Sequence, residues 1–122
     1  MAYDELLADR IRQTLSEEKI IFEELKMMGG LCFKVENKML CGIHKDKKYG
    51  DNLLMARIGE DAYETEIHKE ECLPMDFTGR LMRGYIFVTP NGFDMDKDLK
   101  YWLRKCLDFN PLAKSSKKKS KK

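Results

Sequence analysis

Four cysteines, Cys32, Cys41, Cys72 and Cys106, and two histidines, His44 and His68, are the residues whose chemistry would suit a metal centre or a nucleophilic site. Zinc sites present at least one close-spaced ligand pair, and no such pair occurs here. A cysteine nucleophile needs a histidine in reach, yet neither histidine stands in a recognisable nucleophile motif. Gly29-Gly30 follows Met27-Met28 with neither the GxGxxG spacing nor the Lys-Ser/Thr of a phosphate-cradling loop, so the pair is structural. No catalytic, cofactor-binding or metal-binding residue is assigned, and a non-enzymatic protein without cofactor is expected.

Packing is the alternative use of these cysteines. In 122 residues a hydrophobic core forms without disulfide staples, so widely spaced thiols are expected to be reduced. Strand parity puts Leu31, Phe33 and Val35 on one face with Met39, Cys41 and Ile43, and Cys32 on the other. Cys41 and Cys106 read as small core hydrophobes, while Cys32 and Cys72 stay open. Phe33, Val35, Cys41, Ile43, Trp102 and Leu103 are expected to meet in one core.

The elements that position them follow from periodicity. Leu7, Ile11 and Leu15 recur every four residues after Asp4, a suitable N-cap, and Ser16 to Lys19 ends this first helix. Five strand-like runs follow, at 20–28, 31–35, 39–44, 53–58 and 85–88. Glu36-Asn37-Lys38 reads as a tight hairpin turn with Asn37, or else Lys38, left-handed. Residues 45–51 form a polar loop. Residues 59–69 form an inserted helix with Ala62, Tyr63 and Ile67 on one face, and residues 75–84 an ordered loop. Pro90-Asn91-Gly92 breaks the fifth strand. Asp94 is the expected cap of the last helix, whose Leu99, Trp102, Leu103, Cys106 and Leu107 make a buried face before Pro111. The fold class is α+β: a mostly antiparallel five-stranded sheet with N-terminal, inserted and C-terminal helices.

Charge is unevenly spread. Of 23 basic residues against 21 acidic, six lysines fall between 114 and 122, leaving a mildly acidic body. The expected division is a domain over 1–112 and a disordered polybasic tail over 113–122. Lys117, Lys118, Lys119, Lys121 and Lys122 are its candidate polyanion contacts, and a solubilising role is the alternative. The apolar runs are short and the chain starts Met-Ala-Tyr-Asp-Glu, so neither a membrane span nor a signal peptide is expected, and the location is cytoplasmic.

Methionines Met27, Met28, Met39, Met55, Met75 and Met82 fall in or beside the strands, and Leu53-Leu54-Met55 and Ile86-Phe87-Val88 are apolar on both faces. Helices cover one sheet face. The second is expected to be covered either by the 75–84 loop or by a partner, which could be an unidentified protein or a second copy in a homodimer.

Three stretches carry a resemblance: Met27-Met28-Gly29-Gly30-Leu31-Cys32-Phe33; Arg57-Ile58-Gly59 through Tyr63; and Pro74-Met75-Asp76-Phe77-Thr78-Gly79-Arg80 through Met82, Arg83, Gly84 and Tyr85. In order and spacing they resemble the N-terminal domain of the TfoX/Sxy family, named for bacterial regulators of competence for DNA uptake. Met28 stands where the family usually has an aromatic residue and Leu81 where it has proline. Full-length regulators of the family carry a second, helical domain in place of the lysine tail. The resemblance implies a secretion-chaperone-like α+β fold with no known reaction or cofactor. It marks Met28, Gly29, Gly30, Phe33, Arg57, Tyr63, Pro74, Met75, Phe77, Gly79, Arg80, Met82, Arg83 and Gly84 as motif and interaction residues. Arg57, Arg80 and Arg83 would either bind an anionic partner or pair with Asp76 and its neighbours to hold the loop. Arg80 is expected to be held by partners and Arg83 to face solvent. The function implied is an interaction module, regulatory and competence- or transcription-related, acting at the sheet face or the Arg80 loop. The alternative is a nucleic-acid-associated protein binding through its lysine tail.

Overall fold

Helix α1, Glu5–Glu17, starts where Asp4 accepts a hydrogen bond from the Leu6 N–H at 2.9 Å. In the computed structural model the described residues are 3–27, 30–46, 51–74 and 84–113. Leu7, Ala8, Ile11 and Leu15 form the buried stripe of α1. Its end is closed by Lys19 N–H to Ser16 C=O and Ile20 N–H to Leu15 C=O, both at 2.9 Å, with Lys19 left-handed at φ 61°. That closure turns the chain back toward the sheet.

The elements that follow are β1 (Glu23–Met27), β2 (Gly30–Val35), β3 (Lys38–Asp46), β4 (Asp51–Arg57), helix α2 (Gly59–Glu66), β5 (Cys72–Pro74), β6 (Tyr85–Val88) and helix α3 (Asp96–Phe109). The strands form one antiparallel sheet in the order β1-β2-β3-β4-β6-β5. The sheet therefore has six strands, not five. The extra one, β5, is three residues long and ends in Pro74. A run so short has no period to read, and proline is tolerated there because β5 is an edge strand. The expected 45–51 loop is also shortened, since Lys45 and Asp46 still pair with Asn52 and Asp51.

Two local features re-aim side chains. Glu36 and Asn37 both take left-handed φ, 55° and 64°, as the two central residues of a type I′ hairpin turn do. Asn37, rather than the alternative Lys38, is left-handed, and Glu36 before it is left-handed as well, which the sequence reading did not foresee. Between Phe33↔Cys41 and Lys34↔Met39 the register slips by one residue. Leu40 is the extra residue, so Met39 moves to the face opposite Cys41, where simple alternation had not put it. Cys32, paired with Gly42, is on the face away from Cys41 as expected.

One core joins the sheet to all three helices. Leu31, Phe33, Val35, Cys41, Ile43, Leu54, Ala56, Ile86 and Val88 pack with Leu7 and Ile11 of α1, Tyr63 of α2, and Leu99, Trp102, Leu103 and Cys106 of α3. All six residues expected to share a core are in it. On the second face Leu53, Met55 and Phe87 are also buried, with Met39, Leu73 and Tyr85 half-buried beside them. The 75–84 loop, save Gly84, lies outside the described residues. No described helix is long and apolar enough to cross a membrane.

The start of α3 corrects another expectation. Met95, not Asp94, occupies the N-cap position, and it makes no side-chain cap. Asp94 contributes its backbone carbonyl instead, which accepts from Arg10 Nη2 at 3.1 Å; the same nitrogen reaches the Phe93 carbonyl at 2.8 Å and Asp96 Oδ1 at 3.2 Å. An arginine from α1 thus braces the turn that leads into α3, while the helix start itself has no side-chain cap. Trp102 is 1% exposed and its indole N–H donates to the Gly92 carbonyl at 3.0 Å. Trp102→Ala is expected to lower unfolding free energy by about 3–5 kcal/mol, through lost burial and the cavity left behind, read as a lower urea midpoint.

Candidate functional site

The junction between β4 and α2 is where separate motif stretches meet. The Gly84 carbonyl accepts from the N–H groups of both Ile58 and Gly59, at 2.8 and 3.1 Å, which ties the entry of β6 to the entry of α2. Gly59 has φ +88°, and a Cβ there would lie 2.5 Å from Phe109 Cδ1. Only glycine allows both the backbone angle and the approach of that ring. One turn on, Tyr63 is buried in the core. Arg57 is half-buried with its guanidinium carbon 5.3 Å from the Tyr85 ring centroid and 5.8 Å from that of Phe109, and its Nη1 donates to the Met39 carbonyl at 3.5 Å. Its planar cation is used to join β4, β6 and α3.

Beside this junction an open groove of about 510 Å³ runs between α2 and the end of α3. Ile58, Ala62, Phe109 and Leu112 supply its apolar lining, and Glu60, Asp61 and Asp108 stand on it as exposed carboxylates. Leu112 is 77% exposed. The short 3-10 turn that presents it, Asn110–Leu112, is anchored from the β2–β3 hairpin. Asn110 Nδ2 donates to the Val35 carbonyl at 3.2 Å, and Lys38 Nζ reaches the carbonyls of Asn110 and Pro111 at 3.3 and 3.4 Å.

A second polar constellation locks α2 to α3. Glu66 is 3% exposed. Its Oε2 accepts from the Tyr101 hydroxyl at 2.6 Å, its Oε1 lies 2.6 Å from Lys69 Nζ, and Lys105 Nζ lies 3.5 Å from Oε2. Lys69 also donates to the Tyr101 hydroxyl at 3.1 Å and sits 4.5 Å from the Tyr101 ring centroid. Burial alone would raise the Glu66 pKa, but the hydrogen bonds from Lys69 and Tyr101 outweigh it and hold the carboxyl below its ordinary value. The hydrogen bond to Glu66 in turn raises Lys69. Sequence reading missed Glu66, although its place three residues after Tyr63 puts it on the inward face of α2; a charge there signals a buried partner.

Of the motif residues, Gly30 is buried opposite Met27, Phe33 is in the core, and Pro74 pairs with Ile86. Together with Arg57, Tyr63 and Gly84 they shape and pack the fold. Met28, Gly29, Met75, Phe77, Gly79, Arg80, Met82, Arg83 and the lysines Lys117, Lys118, Lys119, Lys121 and Lys122 lie outside the described residues, as does Asp76. The four cysteines are free thiols. Burial raises all four, Cys72 and Cys106 to about 12 and Cys41 well above its usual value, which favours their protonated form. Cys72 proves to be buried and Cys32 half-buried. Among the described residues no three or more His, Cys, Asp or Glu gather as a metal ion would require. His44 packs its ring 5.3 Å from that of Phe87.

An antiparallel sheet with three helices on one face, and motif glycines and arginine gathered where β4, α2 and β6 meet, defines an α+β module built around that junction. The family model of the TfoX N-terminal domain matches residues 22–110, and the chain belongs to that family. A search of curated proteins finds no match to the chain.

Gly59→Ala is expected to destabilise by about 2–4 kcal/mol, combining a left-handed alanine with overpacking against Phe109, measured by chemical denaturation. For Glu66 the linkage has a definite sign. A depressed folded-state pKa contributes stability that is present above the unfolded value and lost as pH falls through the folded one. The wild-type melting temperature should therefore drop more steeply below about pH 4.5 than that of Glu66→Gln, which starts lower at neutral pH but follows a flatter curve.

Proposed function

We propose that this TfoX N-terminal module is a non-enzymatic, regulatory interaction protein that works by contact through the α2–α3 groove. One observation carries the reading: the Arg57-Ile58-Gly59 and Gly84-Tyr85 motif stretches converge directly beneath an apolar groove that ends in the exposed Leu112. A leucine held out to solvent by an anchored turn is what a docking surface needs, whereas a lone exposed leucine on a frayed end would mean little. The groove is favoured over the sheet face because Leu112 on it is exposed whereas Leu53, Met55 and Phe87 on the sheet are buried. Four free cysteines support a reducing, cytoplasmic setting. A second reading, a nucleic-acid-associated protein, is supported by the six lysines of residues 114–122.

Photo-crosslinking inside the producing cells tests the first reading. A photoreactive residue at position 112 should give a discrete protein adduct, and the same residue at position 6, where Leu6 is 70% exposed on α1, should not. No adduct at 112, or the same adducts at both positions, would show that the groove is not the working surface.

A further inference from the structure

We propose that the outer edge of β1 pairs antiparallel with the same edge of a second copy of the chain, joining two sheets into one around a two-fold axis at Leu25. β1 ends the sheet and pairs only with β2, over five regular positions from Glu23↔Lys34 to Met27↔Gly30. Its outward N–H and C=O groups have no backbone partner among the described residues. An open row of this kind is a template for another strand. The opposite edge of the sheet is blunted, because β5 is three residues long and ends in Pro74. β1 has neither proline nor bulge, Leu25 on it is 47% exposed, and Ile21 just before it is 89% exposed.

Charge selects both the occupant and the register. β1 reads Glu23-Glu24-Leu25-Lys26-Met27. A two-fold axis normal to the sheet places one residue opposite its own copy. With Leu25 on that axis, each Glu24 stands directly opposite the partner's Lys26, at two places related by symmetry, and such opposed side chains have Cβ atoms about 5 Å apart. Centring on Glu23 or Glu24 would oppose two glutamates, centring on Lys26 two lysines, and centring on Met27 would face most of β1 with residues beyond its end. The sign pattern of this edge is therefore complementary to itself in one register. Glu24 and Lys26 lie opposite the core residues Phe33 and Leu31, so both are on the helix side of the sheet. Arg12 holds the Glu24 carboxylate there, Nε to Oε2 at 2.6 Å and Nη2 to Oε1 at 2.9 Å. Lys26 is exposed and makes no ion pair among the described residues, so the partner's Glu24 supplies its missing counter-charge. Leu25 lies on the other face beside Cys32, where it meets its own copy and both lose water. Five residues a side make a small contact, so the dimer is reversible and its population rises with concentration. The edge shares no residue with the α2–α3 groove.

Sedimentation equilibrium of the full chain tests the pairing. The average mass should rise with concentration toward twice that of one chain. Lys26→Glu should stay at the mass of one chain, and so should Glu24→Lys, since each opposes like charges at both places. An equimolar mixture of these two variants should regain the doubled mass, because every opposed pair is again of opposite sign. A disulfide probe reads the register. In a Cys32→Ser background, where the remaining cysteines are buried, Leu25→Cys should link two chains under mild oxidation. Glu23→Cys in the same background should not, because the two copies of residue 23 stand four positions apart along the edge, about 13 Å. A wild-type mass that stays at one chain across the whole range, a mixture no heavier than its parts, or equal linking at positions 25 and 23 would overturn the proposal.

Discussion

The seat of α3 on the sheet is the constraint on which the rest of this molecule depends. Trp102, the largest side chain fully buried, stands between the sheet and the helix layer and uses its one polar atom on the Gly92 carbonyl. Burying an indole while its N–H stays bonded combines a large hydrophobic gain with no orphaned donor. Once α3 is seated, α1 must cross it where Arg10 meets the carbonyls of Phe93 and Asp94, and α2 must lie where Glu66 meets Tyr101. Both helices take their positions from α3 as much as from the strands.

The polar contacts differ greatly in weight. Arg12 with Asp9 and Glu24, Lys100 with Glu17, and Arg104 with Glu18 are solvent-exposed or partly so, and pairs of this kind contribute about 0–1 kcal/mol each. Glu66 is of another kind, because its carboxylate is withdrawn from water and depends on Lys69 and Tyr101 to remain charged. Removing either partner leaves a buried charge short of a bond, which costs more than any surface pair returns. The lock between α2 and α3 is therefore a matter of satisfaction and not of ion-pair number.

The family motif has a plain physical reading at the positions described. Gly59 admits the Phe109 ring, Gly84 supplies one carbonyl to two N–H groups, and Arg57 spreads its cation over two aromatic rings. Their joint product is a close-packed junction with a groove beside it.

Much of this was legible in the order of residues. The Asp4 cap, the buried stripes of α1 and α3, the left-handed Asn37 and the shared core of Phe33, Cys41 and Trp102 follow from local spacing, because periodicity records which side of an element faces inward, and the family was legible through the resemblance of three motif stretches. Spacing does not say what an inward group will meet. Arg10 braces the turn before α3 from more than eighty residues away where an Asp94 cap was expected, the extra residue Leu40 sent Met39 to the other face, and Cys72-Leu73-Pro74 became a strand only because β6 was there to pair with it. The groove is the same case, since Ile58, Ala62, Phe109 and Leu112 form no pattern along the chain and become neighbours only when α2 and α3 lie side by side. Sequence alone determined which residues leave water; the tertiary structure decided their partners, because contacts between distant segments are set by packing geometry and leave no period to read.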